Sequence, residues 1–231
     1  MILLADIGNT CVKVCRSDGR SISEVQRYPH EDTPWDNLLD GIKEVRLSLV
    51  GPTPQHLFQA AGERGITIMR VRDVLARHER EGDSTAHVIA PEALGEDRLA
   101  AIVGARRRAS GHDVLVADCG TCLTTDLVKS DGQHLGGIIS PGLRLRLESM
   151  HEHTAALPIV APEGEAPLWA LTTEEAMRGG AVNGLCYEIE GYIRAAKQRL
   201  PGVQVFYTGG VPLSLPKDVT VCPTLVLEGL L

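Results

Sequence analysis

Two stretches 112 residues apart carry the same residues in the same order. Asp6-Ile7-Gly8-Asn9-Thr10 runs into CVKVCRSDG, and Asp118-Cys119-Gly120-Thr121-Cys122 into LTTDLVKSDG, with the second Asp-Gly turn displaced by a single residue. Each reads as an apolar strand ending in a carboxylate, a tight turn holding glycine and a hydroxyl residue, a return strand, and an Asp-Gly turn into a third strand. Turn chemistry alone makes unrelated hairpins look alike. Acid, glycine and hydroxyl recurring in order at the same point of each strand argue instead for an internal duplication. The expected architecture is α/β, with duplicated halves at residues 1–112 and 113–231.

The segments between these hairpins fit that plan. ILLAD, CVKVCRS and SEVQRYP predict a three-stranded antiparallel meander. WDNLLDGI and PQHLFQAAGERG then read as helical, the latter with a proline start and glycine stop, and VRLSLV and ITIMRV as strands. HEREGDSTAH is a polar stretch, and PEALGEDRLAAIVGARRRASG is a helix with Leu94, Leu99, Ile102 and Val103 at helical spacing. In the second half, PGLRLRLESMHEHTA and TTEEAMRGGAVNGLCYEIEGYIRAAKQRL predict two long helices, Thr172 with Glu175 forming a capping box at the start of the second. VQVFYTGG and a short TLVLEGLL are expected to close the chain as strands.

A glycine turn with Asn or Thr can aim backbone N–H groups and a hydroxyl at one point, which suits phosphate oxygens. Two such hairpins facing each other would clamp a polyphosphate. Asp6 and Asp118 would repel it unless hard cations lay between, so carboxylate and glycine together imply metal ions. Neither G-x-x-x-x-G-K-[ST] nor a strand-linked G-x-G-x-x-G occurs, which disfavours a P-loop or dinucleotide fold. Asp97 beside Arg98 in GEDR would ordinarily be a surface ion pair. Alongside a phosphate clamp, a carboxylate to take an alcohol proton and a guanidinium to hold substrate are the missing parts of a kinase site.

Composition narrows the partners. A net charge of -7 and 3% aromatic residues argue against nucleic acid, whether bound through phosphates or by base stacking. No run approaches the length of a membrane span, and a cytoplasmic protein with six reduced cysteines is expected.

The ordered set Asp6 to Thr10 with Lys13, Gly95 to Arg98, Asp118 to Thr121, GGIISPGL from Gly136, TTEEAMRGG, and TGG at Thr208 to Gly210 resembles the motifs of type III pantothenate kinases. The resemblance spans nearly the whole chain. It implies two ribonuclease-H-like lobes of the acetate and sugar kinase, Hsc70 and actin superfamily, and ATP-dependent phosphorylation of pantothenate in coenzyme A synthesis. It implies a homodimer, a divalent metal such as Mg2+, and a monovalent cation, K+ or NH4+. By position, Asp6, Ile7, Gly8, Asn9, Thr10, Cys11, Val12 and Lys13 line the nucleotide phosphates, with Asp6 also a divalent-cation ligand. Thr121 contacts ATP, Asp118 holds the monovalent cation, and Thr173 contacts substrate. Gly95, Glu96, Asp97 and Arg98 hold pantothenate, and Asp97 accepts its proton.

Many members carry a tyrosine seven residues before the GEDR glycine, where this chain has Val88, so the pocket is expected to be wider or closed differently. Other readings are a kinase for another hydroxylated metabolite, or a non-catalytic accessory or regulatory member. Cys119 and Cys122 lack the second pair a zinc site needs and read as strand cysteines. His151 and His153 sit two apart, on different helix faces. Arg106 to Arg108 read as a solvated helix end meeting the macrodipole.

Overall fold

The computed structural model describes residues 1–231 as two compact units. The first comprises Met1–Gly111, Val128–His134 and Thr224–Leu231, the second His112–Leu127 and Leu135–Pro223. No helix is long and apolar enough to cross a membrane.

In the first unit β1 (Ile2–Ile7), β2 (Val12–Ser17) and β3 (Gln26–Tyr28) form the antiparallel meander, and β4 (Glu44–Leu49) and β5 (Thr67–Arg70) add in parallel, giving the order β3-β2-β1-β4-β5. The chain crosses from β2–β3 to β4 through α1 (Trp35–Leu38) and from β4 to β5 through α2 (Gln55–Glu63). Strand side chains alternate between faces. Leu3, Ala5, Ile7, Val45 and Leu47 therefore share one face, in a core with Trp35 and Leu57. The opposite face presents Leu4, Asp6, Arg46 and Ser48, and there α4 (Glu96–Ala109) packs against β4 and α7 (Leu225–Gly229) against β1.

The second unit repeats the plan. β6 (Val114–Cys119) and β7 (Cys122–Val128) are joined by only Gly120 and Thr121, a connection that an antiparallel hairpin alone can make. With β8 (His134–Pro141), β9 (Gln204–Gly209) and β10 (Val219–Val221) the order is β10-β9-β6-β7-β8, the mirror listing of the first sheet, with β9 parallel to β6 and β10 parallel to β9. Leu115, Ala117 and Cys119 take the places of Leu3, Ala5 and Ile7, and pack with Leu147 of α5 (Leu143–Glu152) and Leu185 and Ile189 of α6 (Thr173–Arg199). Thr172 caps α6 by accepting the Glu175 N–H at 3.3 Å, the sequence-predicted N-terminus. These are two ribonuclease-H-like sheets of one duplicated topology.

Three local expectations are corrected. TLVLEGLL is not a final strand: Leu225–Gly229 is helical, and a short apolar run does not by its pattern distinguish the two. Here α7 lies so close on α4 that a Cβ at Gly104 would stand 2.3 Å from the Leu225 carbonyl oxygen, and Leu225, Val226 and Leu227 are buried. Between the strand ITIMRV and the polar stretch, and running into both, lies an unexpected helix, α3 (Val71–Arg80), which buries Val71, Val74 and Leu75 at helical spacing beneath a charged face. Arg106 is no solvated end. It is 7% exposed and donates to the carbonyls of Ser84, Thr85, Lys129 and Ser130, while Arg107 donates to the Glu228 carbonyl and Arg108 pairs with the Glu228 carboxylate.

Candidate active site

In the first unit the strand-end carboxylate lies in a cross-strand row. Asp6 pairs in register with Lys13 of β2 on one side and Ser48 of β4 on the other, so the three side chains share a face. Lys13 Nζ donates to Asp6 Oδ2 at 3.1 Å, which holds the carboxylate while leaving Oδ1 without a hydrogen-bond partner. A buried, unclaimed carboxylate oxygen is the donor that a hard divalent cation takes, so Asp6 fits one. No group of three or more His, Cys, Asp or Glu gathers as a metal cage.

The turn after β1 closes through Gly8 N–H to the Cys11 carbonyl at 3.2 Å. Asn9 and Thr10 are exposed, whereas Ile7 and Val12 are core residues whose contribution to any ligand is limited to backbone. Behind the turn, Val50 and Gly51 donate to the Ile7 carbonyl at 3.1 and 2.9 Å. A Cβ on Gly51 would lie 1.9 Å from the Gly8 carbonyl oxygen.

Gly95 precedes α4 as its N-cap, and Asp97 stands in the first turn. Asp97 Oδ1 accepts the Arg98 N–H at 2.8 Å and would lie 2.7 Å from a Cβ at position 95, so glycine is what leaves room for this carboxylate. Burial, joined by the Asp6 charge, pushes Asp97 above the usual aspartate range and outweighs the opposing effects of the Arg98 N–H and guanidinium. Asp6 and Asp97, far apart in sequence, are thus electrostatic neighbours. Glu96, in the same turn, also braces the start of the helix. Its Oε2 accepts Leu49 N–H at 3.0 Å and Arg70 Nε at 2.9 Å, tying the start of α4 to the ends of β4 and β5. Val88 is half-buried in the segment after α3, beside Ile89, whose N–H and carbonyl bond Gly132 and His134 at 3.0 Å.

In the second unit Asp118 is half-buried on β6 and pairs in register with Thr208 of β9. Gly120 N–H closes its turn on the Cys122 carbonyl at 2.9 Å, leaving Thr121 exposed at the tip. Gly210 N–H donates to the Cys119 carbonyl at 3.1 Å, the counterpart of Gly51 on Ile7. Thr173 is the exposed first residue of α6, and its neighbour Thr172 spends its hydroxyl on the cap. Cys119 and Cys122 are free and flank the turn; burial pushes the Cys119 thiol up to about 11, so it is no thiolate at neutral pH. His151 Nδ1 contacts the Leu157 carbonyl at 2.7 Å.

Sequence reasoning missed Ser48, Gly51 and their counterparts Thr208 and Gly210 as parts of this design, although the last two stood inside the TGG motif. Their signal was the strand following each hairpin, VRLSLVG and VQVFYTGG, each ending in a hydroxyl residue shortly before glycine.

Several relatives similar to this chain share one description. The Bacteroides fragilis and Phocaeicola vulgatus type III pantothenate kinases are 36% and 34% identical to it over 247 and 236 aligned residues, covering 100% of this chain and 96% of each relative. Among solved structures, a Baf family protein from Campylobacter jejuni aligns with a TM-score of 0.62 at 20% identity, covering 98% of this chain and 94% of its own. The ethanolamine utilization protein EutJ from Carboxydothermus hydrogenoformans aligns at 0.52 and 12%, covering 99% and 88%. At those identities the structures speak for the fold alone. The family model described as type III pantothenate kinase matches residues 2–195, from β1 through both carboxylate hairpins and the GEDR helix into α6. That match runs over most of the chain, and the relatives are matched along nearly their whole length: the chain belongs to the type III pantothenate kinase family.

Proposed function

We propose that the protein transfers the γ-phosphoryl group of ATP to the primary hydroxyl of pantothenate, giving 4'-phosphopantothenate at the entry to coenzyme A synthesis. Family membership supports the substrate pair. The single observation that supports a working site is Asp97, a carboxylate held among buried groups beside Asp6, with its affinity for a proton raised.

In this reading Arg98 and Gly95 orient pantothenate, and Asp97 takes the hydroxyl proton. The alcohol oxygen bonds the γ-phosphorus as the β–γ bridging bond breaks, and ADP leaves with that electron pair. Glu96 serves by fixing the helix that carries Asp97. The turn from Gly8 to Cys11, with Lys13, receives the phosphates in the first unit, and Thr121 does so in the second. Mg2+, held by Asp6, would neutralise phosphate charge. Asp118 is assigned a monovalent cation, K+ or NH4+, and Thr173 a substrate contact. We assign the duplicated lobes to residues 1–112 and 113–231 and the working form to a homodimer. Leu145 of α5 and Tyr187 and Tyr192 of α6, 37%, 57% and 36% exposed, support the latter as an apolar surface on the second unit.

The test is ADP release with pantothenate against pantoate, glycerol and hexoses, in Mg2+ with potassium, sodium or a bulky organic cation at constant ionic strength. Release confined to pantothenate and highest in potassium is expected. Release with another acceptor would reassign the substrate, and equal rates in all three salts would remove Asp118 from its role.

Val88→Tyr should lower the KM for pantothenate several-fold and leave that for ATP in place, because it restores a ring and hydroxyl to the pocket wall. Initial-rate kinetics with each substrate varied in turn decide this. An unchanged pantothenate KM would show the wall lies elsewhere.

A further inference from the structure

Two buried side-chain oxygens in this protein have no hydrogen-bond partner, Asp6 Oδ1 and Ser48 Oγ. They are register neighbours, Asp6 on β1 opposite Ser48 on β4, and so lie on one face of adjacent parallel strands. Ser48 is fully buried and Asp6 is 4% exposed. Leaving a buried polar group unpaired is costly, and two such groups on register neighbours near the end of β1 mark a place completed by something else.

The remaining neighbours do not supply it. Lys13 is spent on the other carboxylate oxygen, Oδ2. Asp97, beyond Asp6, is a like charge and cannot pair with it. Solvent does not reach either oxygen, so bulk water does not satisfy them. An Mg2+-class ion does suit the pair, since both are the hard oxygen donors that such an ion prefers. A neutral hydroxyl beside a carboxylate is an ordinary ligand set for such an ion. The duplication adds an independent observation: in the second unit the strand-end carboxylate Asp118 is paired in the same register with another buried hydroxyl, Thr208. Hydroxyl next to carboxylate across the parallel ladder is therefore a repeated element of the design.

We propose that Ser48 shares one divalent-cation position with Asp6, the serine hydroxyl and the free carboxylate oxygen each giving the ion a ligand. The proposal rests on the kinase reading for its purpose but not for its test, which needs neither nucleotide nor pantothenate. Mn2+ binding to the full chain is followed by electron paramagnetic resonance for wild type, Ser48→Ala and Asp6→Asn, with melting temperatures taken in chelator. Ser48→Ala should weaken Mn2+ by about tenfold, the lower end of the range for groups that tune a metal ligand. Its metal-free melting temperature should hold or rise, because the change deletes an unsatisfied buried hydroxyl. Asp6→Asn should weaken Mn2+ further.

Opposite signs in the two measurements are what a purely structural serine would not give. A fall in the metal-free melting temperature of Ser48→Ala would show its hydroxyl already bonded in the resting fold and overturn the proposal. So would unchanged Mn2+ affinity in either variant, or a wild type that takes up no Mn2+. If Mn2+ binding depends on Ser48 while pantothenate evokes no ADP release, the cation position stands and the substrate assignment falls.

Discussion

Asp97→Asn should lower turnover by on the order of 10²- to 10⁴-fold, the usual loss on removing a general base, and at the same time make the protein more stable near neutral pH. The two effects have one origin. Asp97 is pushed above its ordinary value of 3.8 by burial and by the Asp6 carboxylate. A proton binds more tightly to the folded form than to the unfolded chain, so at neutral pH, where Asp97 is ionised in both states, the folded state bears an unfavourable charge. Asparagine keeps the shape and removes that charge. The stability gain should be full above the raised folded value, shrink as pH falls through it, and vanish below 3.8, where the wild-type group is protonated in both states. Wild-type kcat/KM should fall on acidification as Asp97 is protonated, and the variant should lack that limb. Melting curves and pH–rate profiles on the same preparations check both halves. Near-native turnover would remove Asp97 from catalysis, and a melting temperature lowered at neutral pH would show its carboxylate to be stabilising after all.

What the sequence made legible was what is local along the chain. The hairpins Asp6 to Thr10 and Asp118 to Cys122 declared the duplication because acid, glycine and hydroxyl lie within five residues of one another, and the Thr172 cap was readable for the same reason. The partners that complete each carboxylate come from a strand reached by crossover, Ser48 in one unit and Thr208 in the other, and no local pattern announces a ladder register. Glu96 stood inside a motif read as substrate-binding, and the partners of its Oε2, Leu49 and Arg70, are brought beside it only by the packing of α4 on the sheet. Arg106 looked like any charged helix end. Its burial depends on two distant loops turning four carbonyls toward it. The α7 error has the same root: Leu225 to Gly229 contains too few residues to show a period, and the surface it meets on α4 decides its form.

Gly51→Ala should damage the nucleotide site and the fold together, from a position in none of the motifs. Gly51 sits behind the first turn, its N–H bonded to Ile7 and its Cα facing the Gly8 carbonyl, where an added methyl would lie 1.9 Å from that oxygen and 2.6 Å from its carbon. Both are backbone atoms, so no rotamer change relieves the overlap, and either the Gly8 to Cys11 turn or the segment after β4 must move. Overpacking of this kind costs about 1–3 kcal/mol, which for a chain of this size is roughly 2–4 °C of Tm for each kcal/mol. Because the displaced element is the turn proposed to receive phosphate, the KM for ATP should rise and kcat fall, with the KM for pantothenate little changed. Gly62→Ala is the matched control. It lies exposed within α2 with nothing within 4 Å of a new Cβ, and alanine in a helix is favoured over glycine by up to about 1 kcal/mol, so Tm should rise slightly and kinetics stay as they are. Thermal melts and initial rates on the two variants separate loss of the turn from the general effect of adding a methyl group. If Gly51→Ala melts and turns over like wild type, the close approach of this glycine to Gly8 does not hold the phosphate turn in place.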